Sequence, residues 1–96
     1  MRKTYKLQRV KNLPRPAEIK EGVFYLSEDG KDSVHKCPCG CGEEIYLLLN
    51  SKDIDDFSYD CNVINNELTT LRPEVYNSRC KTCYTIRENK VSMVKL

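Results

Sequence analysis

The sequence has no long hydrophobic run. Its longest apolar stretch is Ile45–Leu49, whereas a helix that spans a membrane needs about 20 predominantly apolar residues. The basic start, Met1-Arg2-Lys3, leads into no apolar export segment. We therefore expect a soluble, cytoplasmic protein that has no membrane partner.

Several signatures of catalysis and ligand binding are also missing. The chain contains neither a glycine-rich phosphate loop nor the nucleophile elbow of the serine hydrolases. Its single histidine, His35, could serve as a metal ligand, but such a lone residue is more often a neighbour of a site than part of it. These absences favour a binding or structural role over an enzyme with a familiar motif.

The charge of the chain is segregated rather than extreme. Basic residues concentrate near both ends and acidic residues near the middle, and the formal net charge is only +2. A weak charge of this kind favours a protein partner over nucleic acid. Nucleic acid remains the less favoured alternative, in which Tyr5, Tyr76 and Tyr84 would stack on bases beside basic side chains.

The pattern of short apolar runs separated by turn residues predicts the fold class. We expect one all-β or β-rich domain over residues 1–96, made of short antiparallel strands and hairpins. Residues 1–16 are expected to form an extended basic arm or an edge strand, because Pro14 and Pro16 disfavour helix in the residues before them. One helical turn is predicted over Ala17–Glu21.

The strands are expected at six places after this start. The continuous apolar run of the third predicts a strand buried on both of its faces. The last place is a hairpin that turns at Glu88–Lys90. In chain order the predicted strands are Val23–Leu26, Ser33–Lys36, Ile45–Leu49, Phe57–Val63 and Leu68–Leu71, followed by the hairpin in which Tyr84 and Ile86 lie opposite Val91 and Met93.

Cysteine is the residue type that carries the strongest signal. Six are present, and three of them alternate as Cys37-Pro38-Cys39-Gly40-Cys41, too close together to pair comfortably as disulfides. Cys80-Lys81-Thr82-Cys83 follows some forty residues later. Two tight turns that each offer thiolates can supply the four tetrahedral ligands of a structural Zn²⁺ ion. The sequence therefore predicts a zinc-ribbon-like site of four cysteines that links the two turns and holds the strands together.

The preferred ligands are Cys37, Cys41, Cys80 and Cys83. Cys39 is a possible ligand but the expected spare, because successive alternations place neighbouring side chains on opposite sides of the chain. Cys61 alternates with apolar residues in a predicted strand and is expected to be a buried core thiol. A redox role for Cys80 and Cys83 is disfavoured, because a strand rather than a helix is predicted to follow them.

The chain resembles a family of small prokaryotic and phage proteins, known as domain of unknown function 6527. The resemblance rests mainly on an H-x-C-P-C-G-C-G core, matched from His35 to Gly42. A G-x-x-Y strand is matched by Gly22-Val23-Phe24-Tyr25, and the resemblance covers most of residues 13–94. It implies a link to ubiquitin-like conjugation pathways, in which some members look like peptidases with a serine nucleophile and a histidine base.

This sequence departs from the family pattern at both of those positions. Glu74 stands where the family has the serine of its L-x-P-S segment, and Cys83 stands where it usually has histidine. The exchange of histidine for cysteine preserves a metal ligand but removes a general base. His35 and Glu74 are therefore only weak catalytic candidates.

The function predicted from the sequence is a structural zinc-binding module that is non-catalytic and binds a protein, such as a component of a ubiquitin-like pathway. Two alternatives stay open. The first is a zinc-containing, peptidase-like enzyme that acts on a ubiquitin-like protein. The second is a zinc ribbon that binds nucleic acid.

Overall fold

A computed structural model describes residues 4–52, 58–65 and 67–94. Over these ranges the chain forms β-strands and one short 3-10 helix, Pro16–Glu18. The strands are β1 Lys6–Val10, β2 Val23–Ser27, β3 Asp32–Lys36, β4 Glu44–Leu48, β5 Asp60–Ile64, β6 Glu67–Asn77, β7 Thr82–Arg87 and β8 Lys90–Met93. The predicted β-rich fold is thus confirmed. No helix in the described ranges is long and apolar enough to cross a membrane.

The strands form two four-stranded sheets, in the orders β1-β2-β3-β4 and β5-β6-β7-β8. Alternate residues of each strand point to one face, and the inner faces of both sheets contribute to a single apolar cluster. Its buried members are Tyr5, Leu7, Phe24, Leu26, Leu47 and Leu49 from the first half of the chain and Cys61, Leu68, Leu71, Val75, Tyr84 and Ile86 from the second. Cys61 is therefore the core thiol that the sequence predicts.

Backbone contacts also join the two sheets at both sides of the pair, where the edge strands of one sheet lie beside those of the other. On one side the backbone N–H of Tyr5 donates to Asn89 O at 2.8 Å, beside an isolated bridge between Thr4 and Lys90. On the other side, Leu49 bridges Tyr59. These contacts close the two sheets into a flattened, partly closed barrel. Less of each sheet edge is therefore left unpaired.

The first strand pairs in an unexpected direction. Strand β1 is the first strand of its sheet, and it runs parallel to β2, whereas antiparallel strands are predicted from the sequence. A parallel pair needs a crossover connection, and the segment after β1 provides it. Ile19 from this connection packs with Tyr25 and Val34 in a second buried cluster. The helical turn within it is shorter than predicted and covers Pro16–Glu18.

Two predictions about strands need correction. Ile45–Leu49 does lie largely in strand β4, but the strand is not buried on both faces, because Tyr46 and Leu48 are 55% and 38% exposed. The predicted strand Leu68–Leu71 is part of the longer β6, which continues to Asn77. Of the strand predicted over Phe57–Val63, Phe57 lies outside the described residues.

The final hairpin forms with Tyr84 and Ile86 opposite Met93 and Val91 as predicted, but its turn is one residue shorter than predicted because Lys90 begins β8. Arg87 pairs with Lys90, so Glu88 and Asn89 make a two-residue turn. Their φ angles are 51° and 63°, as a type I′ turn requires. The side-chain Oδ1 of Asn89 also accepts a hydrogen bond from the N–H of Leu68 at 2.7 Å. The turn is thereby tied to the start of β6.

Candidate metal centre

Two loops meet at one end of the barrel, and each comes from a different sheet. The β3–β4 loop is closed by a hydrogen bond from Cys37 N to Glu43 O at 2.9 Å. Gly40 and Gly42 within it have φ angles of 91° and 82°, in the region that glycine adopts without strain. The β6–β7 loop follows Asn77, which pairs with Thr82 across the hairpin.

These loops bring four cysteine sulfurs together. The Sγ atoms of Cys37, Cys39, Cys41 and Cys80 all lie within 4.8 Å of one another. The Sγ of Cys37 is 3.5 Å from that of Cys39 and 3.6 Å from that of Cys80. Four thiolates that bind Zn²⁺ at about 2.3 Å lie about 3.8 Å apart at the corners of a tetrahedron. The cluster therefore has the size and the donor set of a metal site.

The surroundings of Cys37 and Cys39 shift the pKa values of their thiols in opposite directions. Loss of solvent around Cys37 raises the pKa of its thiol to about 12. Desolvation also acts to raise the pKa of Cys39, but hydrogen bonds from Cys41 and Cys80 outweigh it and lower that pKa to about 6. The thiol of Cys39 therefore ionises more readily than a free cysteine and forms the thiolate, which is the form that binds metal.

The side chain of Asn77 is a second indication that the cysteine cluster holds thiolates. Its Nδ2 is buried and has no hydrogen-bond partner within the described part of the chain, and its amide acts to lower the pKa of the Cys37 thiol. A buried N–H donor without a partner is costly. A metal-bound thiolate at Cys37 is a suitable acceptor for it.

The group of four differs from the preferred ligand set in one member. It contains Cys39, the expected spare, and does not include Cys83. Cys83 lies in β7 directly before Tyr84, which is fully buried in the core. Because side chains alternate along a strand, Cys83 points to the opposite face of the sheet, away from the side that carries Tyr84.

Beneath the cysteines lies His35, which is completely buried. Its ring stacks on Phe24 with centroids 5.0 Å apart and meets Tyr5 edge to face at 5.2 Å. A 2.6 Å hydrogen bond joins its Nε2 to the hydroxyl of Tyr84. Burial lowers the pKa of His35 to about 3, so the ring is neutral at pH 7.

The two weak catalytic candidates are not brought together. The Nδ1 of His35 has no hydrogen-bond partner among the described residues, and its Nε2 is bonded to Tyr84. Glu74 is exposed and lines a cleft that Thr85 also lines. Neither nitrogen of His35 therefore contacts a serine hydroxyl or the carboxylate of Glu74.

Sequence reasoning missed the role of Tyr84. It placed this residue in the last hairpin and considered it only as a base-stacking side chain. The structure shows instead a buried residue whose hydroxyl contacts His35, and burial raises the pKa of that hydroxyl. The alternation of Tyr84 and Ile86 with polar residues indicates that both are buried. It does not indicate which residue the hydroxyl of Tyr84 contacts, because His35 lies forty-nine positions away.

A family model for the bacterial ubiquitination-like system serine protease, BubE, matches residues 9–94. The chain belongs to this family. The match supports the part of the resemblance that concerns a bacterial ubiquitin-like system, whereas the name domain of unknown function 6527 remains a prediction. Comparisons with curated proteins and with solved structures give no match.

Proposed function

We propose that this BubE family member is a non-catalytic module that binds a protein component of a ubiquitin-like conjugation system, and that Zn²⁺ has a structural role in it. The family name points to protease-like proteins that operate in such a system. In this chain, however, the residues suggest recognition of a partner without cleavage.

The observation that carries the proposal is the environment of His35. It is the only histidine in the sequence, and a serine protease of the usual kind needs a histidine that can take a proton from the nucleophile. His35 has no exposed surface, and its pKa of about 3 makes it a poor base. Glu74 at the family's serine position also removes the expected nucleophile.

The cysteine cluster supports a structural role for the metal. Zinc sites with four protein ligands are closed, whereas catalytic zinc keeps a position open for water or substrate. Cys37, Cys39, Cys41 and Cys80 would fill all four positions with thiolates. A metal held in this way joins the end of one sheet to the end of the other.

The ligand set can be tested with single substitutions. We expect Cys39→Ser to weaken zinc binding by at least tenfold, because it removes a ligand, and Cys83→Ser to retain one tightly bound zinc per chain. Competition with a chromogenic chelator measures both affinities, and elemental analysis of the purified proteins measures the zinc content. The reverse result, with Cys83 needed and Cys39 dispensable, would restore the set preferred from the sequence.

The absence of cleavage is the decisive test of the proposed function. The purified, zinc-loaded protein is incubated with a bacterial ubiquitin-like protein that carries a C-terminal extension, and mass spectrometry follows the products. We expect no cleavage, but we expect the same ubiquitin-like protein to be bound in calorimetry. A family member that has serine at the position of Glu74 is the positive control.

Two outcomes would contradict this proposal. Specific release of the extension by this chain would favour the peptidase alternative, in particular if the activity survives in the His35→Ala and Glu74→Ala variants and so depends on other residues. Failure to bind any ubiquitin-like protein, together with salt-sensitive binding of nucleic acid, would favour the nucleic-acid alternative.

A further inference from the structure

The four sulfurs of the cysteine cluster differ in how far they are exposed. Cys37 is buried, Cys39 and Cys80 are half-buried, and Cys41 is exposed. Cys41 lies between two glycines, and a side-chain carbon placed on either of them would meet no atom of the described residues within 4 Å, apart from its chain neighbours. The space beside Cys41 is therefore open, and a small molecule in solution reaches its sulfur more easily than that of Cys37.

Two side chains of the β6–β7 hairpin hold the inner sulfurs. Asn77 and Thr82 pair with each other at the base of the loop, and both are buried. The amide of Asn77 interacts with the sulfur of Cys37, and the Oγ1 of Thr82 lies 2.9 Å from the Sγ of Cys80. A metal-bound thiolate at Cys80 has no proton, so the hydroxyl of Thr82 must donate this hydrogen bond. Such a bond withdraws charge from the sulfur and makes it a weaker nucleophile.

The outer sulfurs are held differently. The backbone N–H of Cys41 donates to the sulfur of Cys39, and that of Glu43 donates to the sulfur of Cys41. Within the described part of the chain, the side chains that contact these two sulfurs are other cysteines of the cluster. The oxidation of a cysteine depends on its thiolate character and its exposure. Cys41 is therefore the ligand most open to attack by an oxidant.

We propose that Cys41 is an oxidation site at which a peroxide, with hydrogen peroxide as the simplest case, opens the metal centre. The thiolate of Cys41 attacks one oxygen of hydrogen peroxide, so that an S–O bond forms, the O–O bond breaks and hydroxide leaves. The thiolate of Cys39 then attacks the sulfur of this sulfenic acid, so that an S–S bond forms, the S–O bond breaks and a second hydroxide leaves. The two sulfurs supply the two electrons that reduce the peroxide.

Cys39 is the residue best placed to form this disulfide. Its sulfur lies within 4.8 Å of that of Cys41, whereas Cys37 is buried and Cys80 is held by Thr82. A disulfide between cysteines two positions apart closes a small ring, and the strain in such a ring makes the bond easy to reduce. The oxidation is therefore reversible.

The disulfide leaves Cys37 and Cys80 as the two remaining thiolates of the site. A structural zinc site has four protein ligands, so the oxidised protein is expected to release its metal. The inference rests on the proposed function, because the ion released is the one to which that function gives a structural role. It adds regulation: a peroxide removes the metal from this end of the barrel, and a reductant restores the site.

The first test measures the release of zinc. The zinc-loaded protein is treated with less than one equivalent of hydrogen peroxide beside a chromogenic zinc chelator, and the same mixture without peroxide is the control. We expect one zinc ion to be released for each peroxide consumed, because one peroxide oxidises two ligands. A thiol reductant and added zinc should restore the zinc-bound form.

Peptide mapping of the same sample identifies the sulfurs. Residues 37–52 form one tryptic peptide, and a disulfide within it lowers its mass by that of two hydrogens. After alkylation of the free thiols, fragmentation should place the label on Cys37. A disulfide to Cys80 would instead attach a second, short peptide. Cys61 and Cys83 are buried and should remain reduced.

Thr82→Val tests the protection of the inner sulfurs and keeps all four ligands. We expect this variant to bind one zinc per chain, to release it at least threefold faster than the parent at the same peroxide concentration, and to form a disulfide that includes Cys80. Thr85→Val is the matched control. It makes the same exchange further along β7, at a residue that pairs with Ser92, and should behave as the parent protein.

Zinc that stays bound throughout the peroxide treatment would overturn this assignment, as would a disulfide in the parent protein that includes Cys37 or Cys80. In either case the proposed function stands, because the metal was bound before the oxidant was added. A protein that takes up no zinc would instead overturn the structural role of the metal and with it the proposed function. An unchanged rate and product in Thr82→Val would overturn the protective role of Thr82.

Discussion

Removal of the metal is expected to unfold this protein. The proposed Zn²⁺ ion joins the β3–β4 loop of the first sheet to the β6–β7 loop of the second, through Cys37 and Cys80. Structural zinc contributes about 10–16 kcal/mol of apparent binding free energy in zinc-finger peptides at pH 7. A typical domain has a net stability of only about 5–15 kcal/mol. Without the metal, the remaining interactions are expected to be insufficient.

Apart from contacts of the cysteine sulfurs, one ion pair is the polar contact found between the two loops among the residues that the structure describes. Arg79 Nε lies 3.5 Å from Glu43 Oε1, but such an exposed pair contributes only about 0–1 kcal/mol. Loss of the metal also leaves the thiol of Cys37 buried, and the Nδ2 of Asn77 without an acceptor. The end of the barrel is therefore the region expected to open first.

The measurement is far-ultraviolet circular dichroism with a thermal melt, before and after incubation with a strong chelator under reducing conditions. We expect the β-type spectrum and the cooperative melt to be lost and to return when zinc is added. The chelator already saturated with zinc is the control for non-specific effects. A spectrum and melting temperature that do not change after verified metal removal would contradict the prediction.

The second large effect is expected from Tyr84→Ala. Tyr84 has no exposed surface, meets the ring of His35 edge to face at 5.9 Å, and supplies the only hydrogen bond of that ring within the described residues. Truncation of a large buried aromatic side chain costs about 3–5 kcal/mol. Both nitrogens of His35 would then be buried without a partner, which adds to the loss.

Two further variants separate these contributions. Tyr84→Phe keeps the packing but removes the hydroxyl, and we expect a loss of about 1–3 kcal/mol from the unsatisfied histidine. Tyr46→Ala, at a tyrosine that is 55% exposed, is the matched control and should change stability by less than about 0.5 kcal/mol. Urea denaturation of the zinc-loaded proteins gives all three values. A Tyr84→Phe variant as stable as the parent would show that the hydrogen bond contributes nothing.

The choice between Cys39 and Cys83 shows where reasoning from the sequence ends. Alternation gives no reason to set Cys39 aside, because residues i, i+2 and i+4 of an extended chain lie on one face, and Cys37, Cys39 and Cys41 would share it. The structure departs from an extended chain here, because Gly40 has a φ angle of 91° and Cys37 O accepts a hydrogen bond from Gly40 N in a turn. Cys83 lies instead in the regular part of β7, where alternation holds and directs it to the other face.

The sequence by itself determined the features that depend on local patterns. Alternating apolar residues specify most of the strands, the polar run Glu88–Lys90 specifies the place of the last turn, and the spacing of the cysteines specifies a metal-binding cluster. These patterns act over a few neighbouring residues, so they can be interpreted without knowledge of the fold.

Only the tertiary structure decided which residues meet across the two sheets. His35 and Tyr84 are forty-nine positions apart, and neither has a local signal that names the other. Their contact depends on how two sheets stack, as do the presence of Cys39 rather than Cys83 in the group of four cysteines and the parallel pairing of β1 with β2. The physical reason is that strand pairing and sheet packing are chosen by the burial of the whole core, which no short segment of sequence contains.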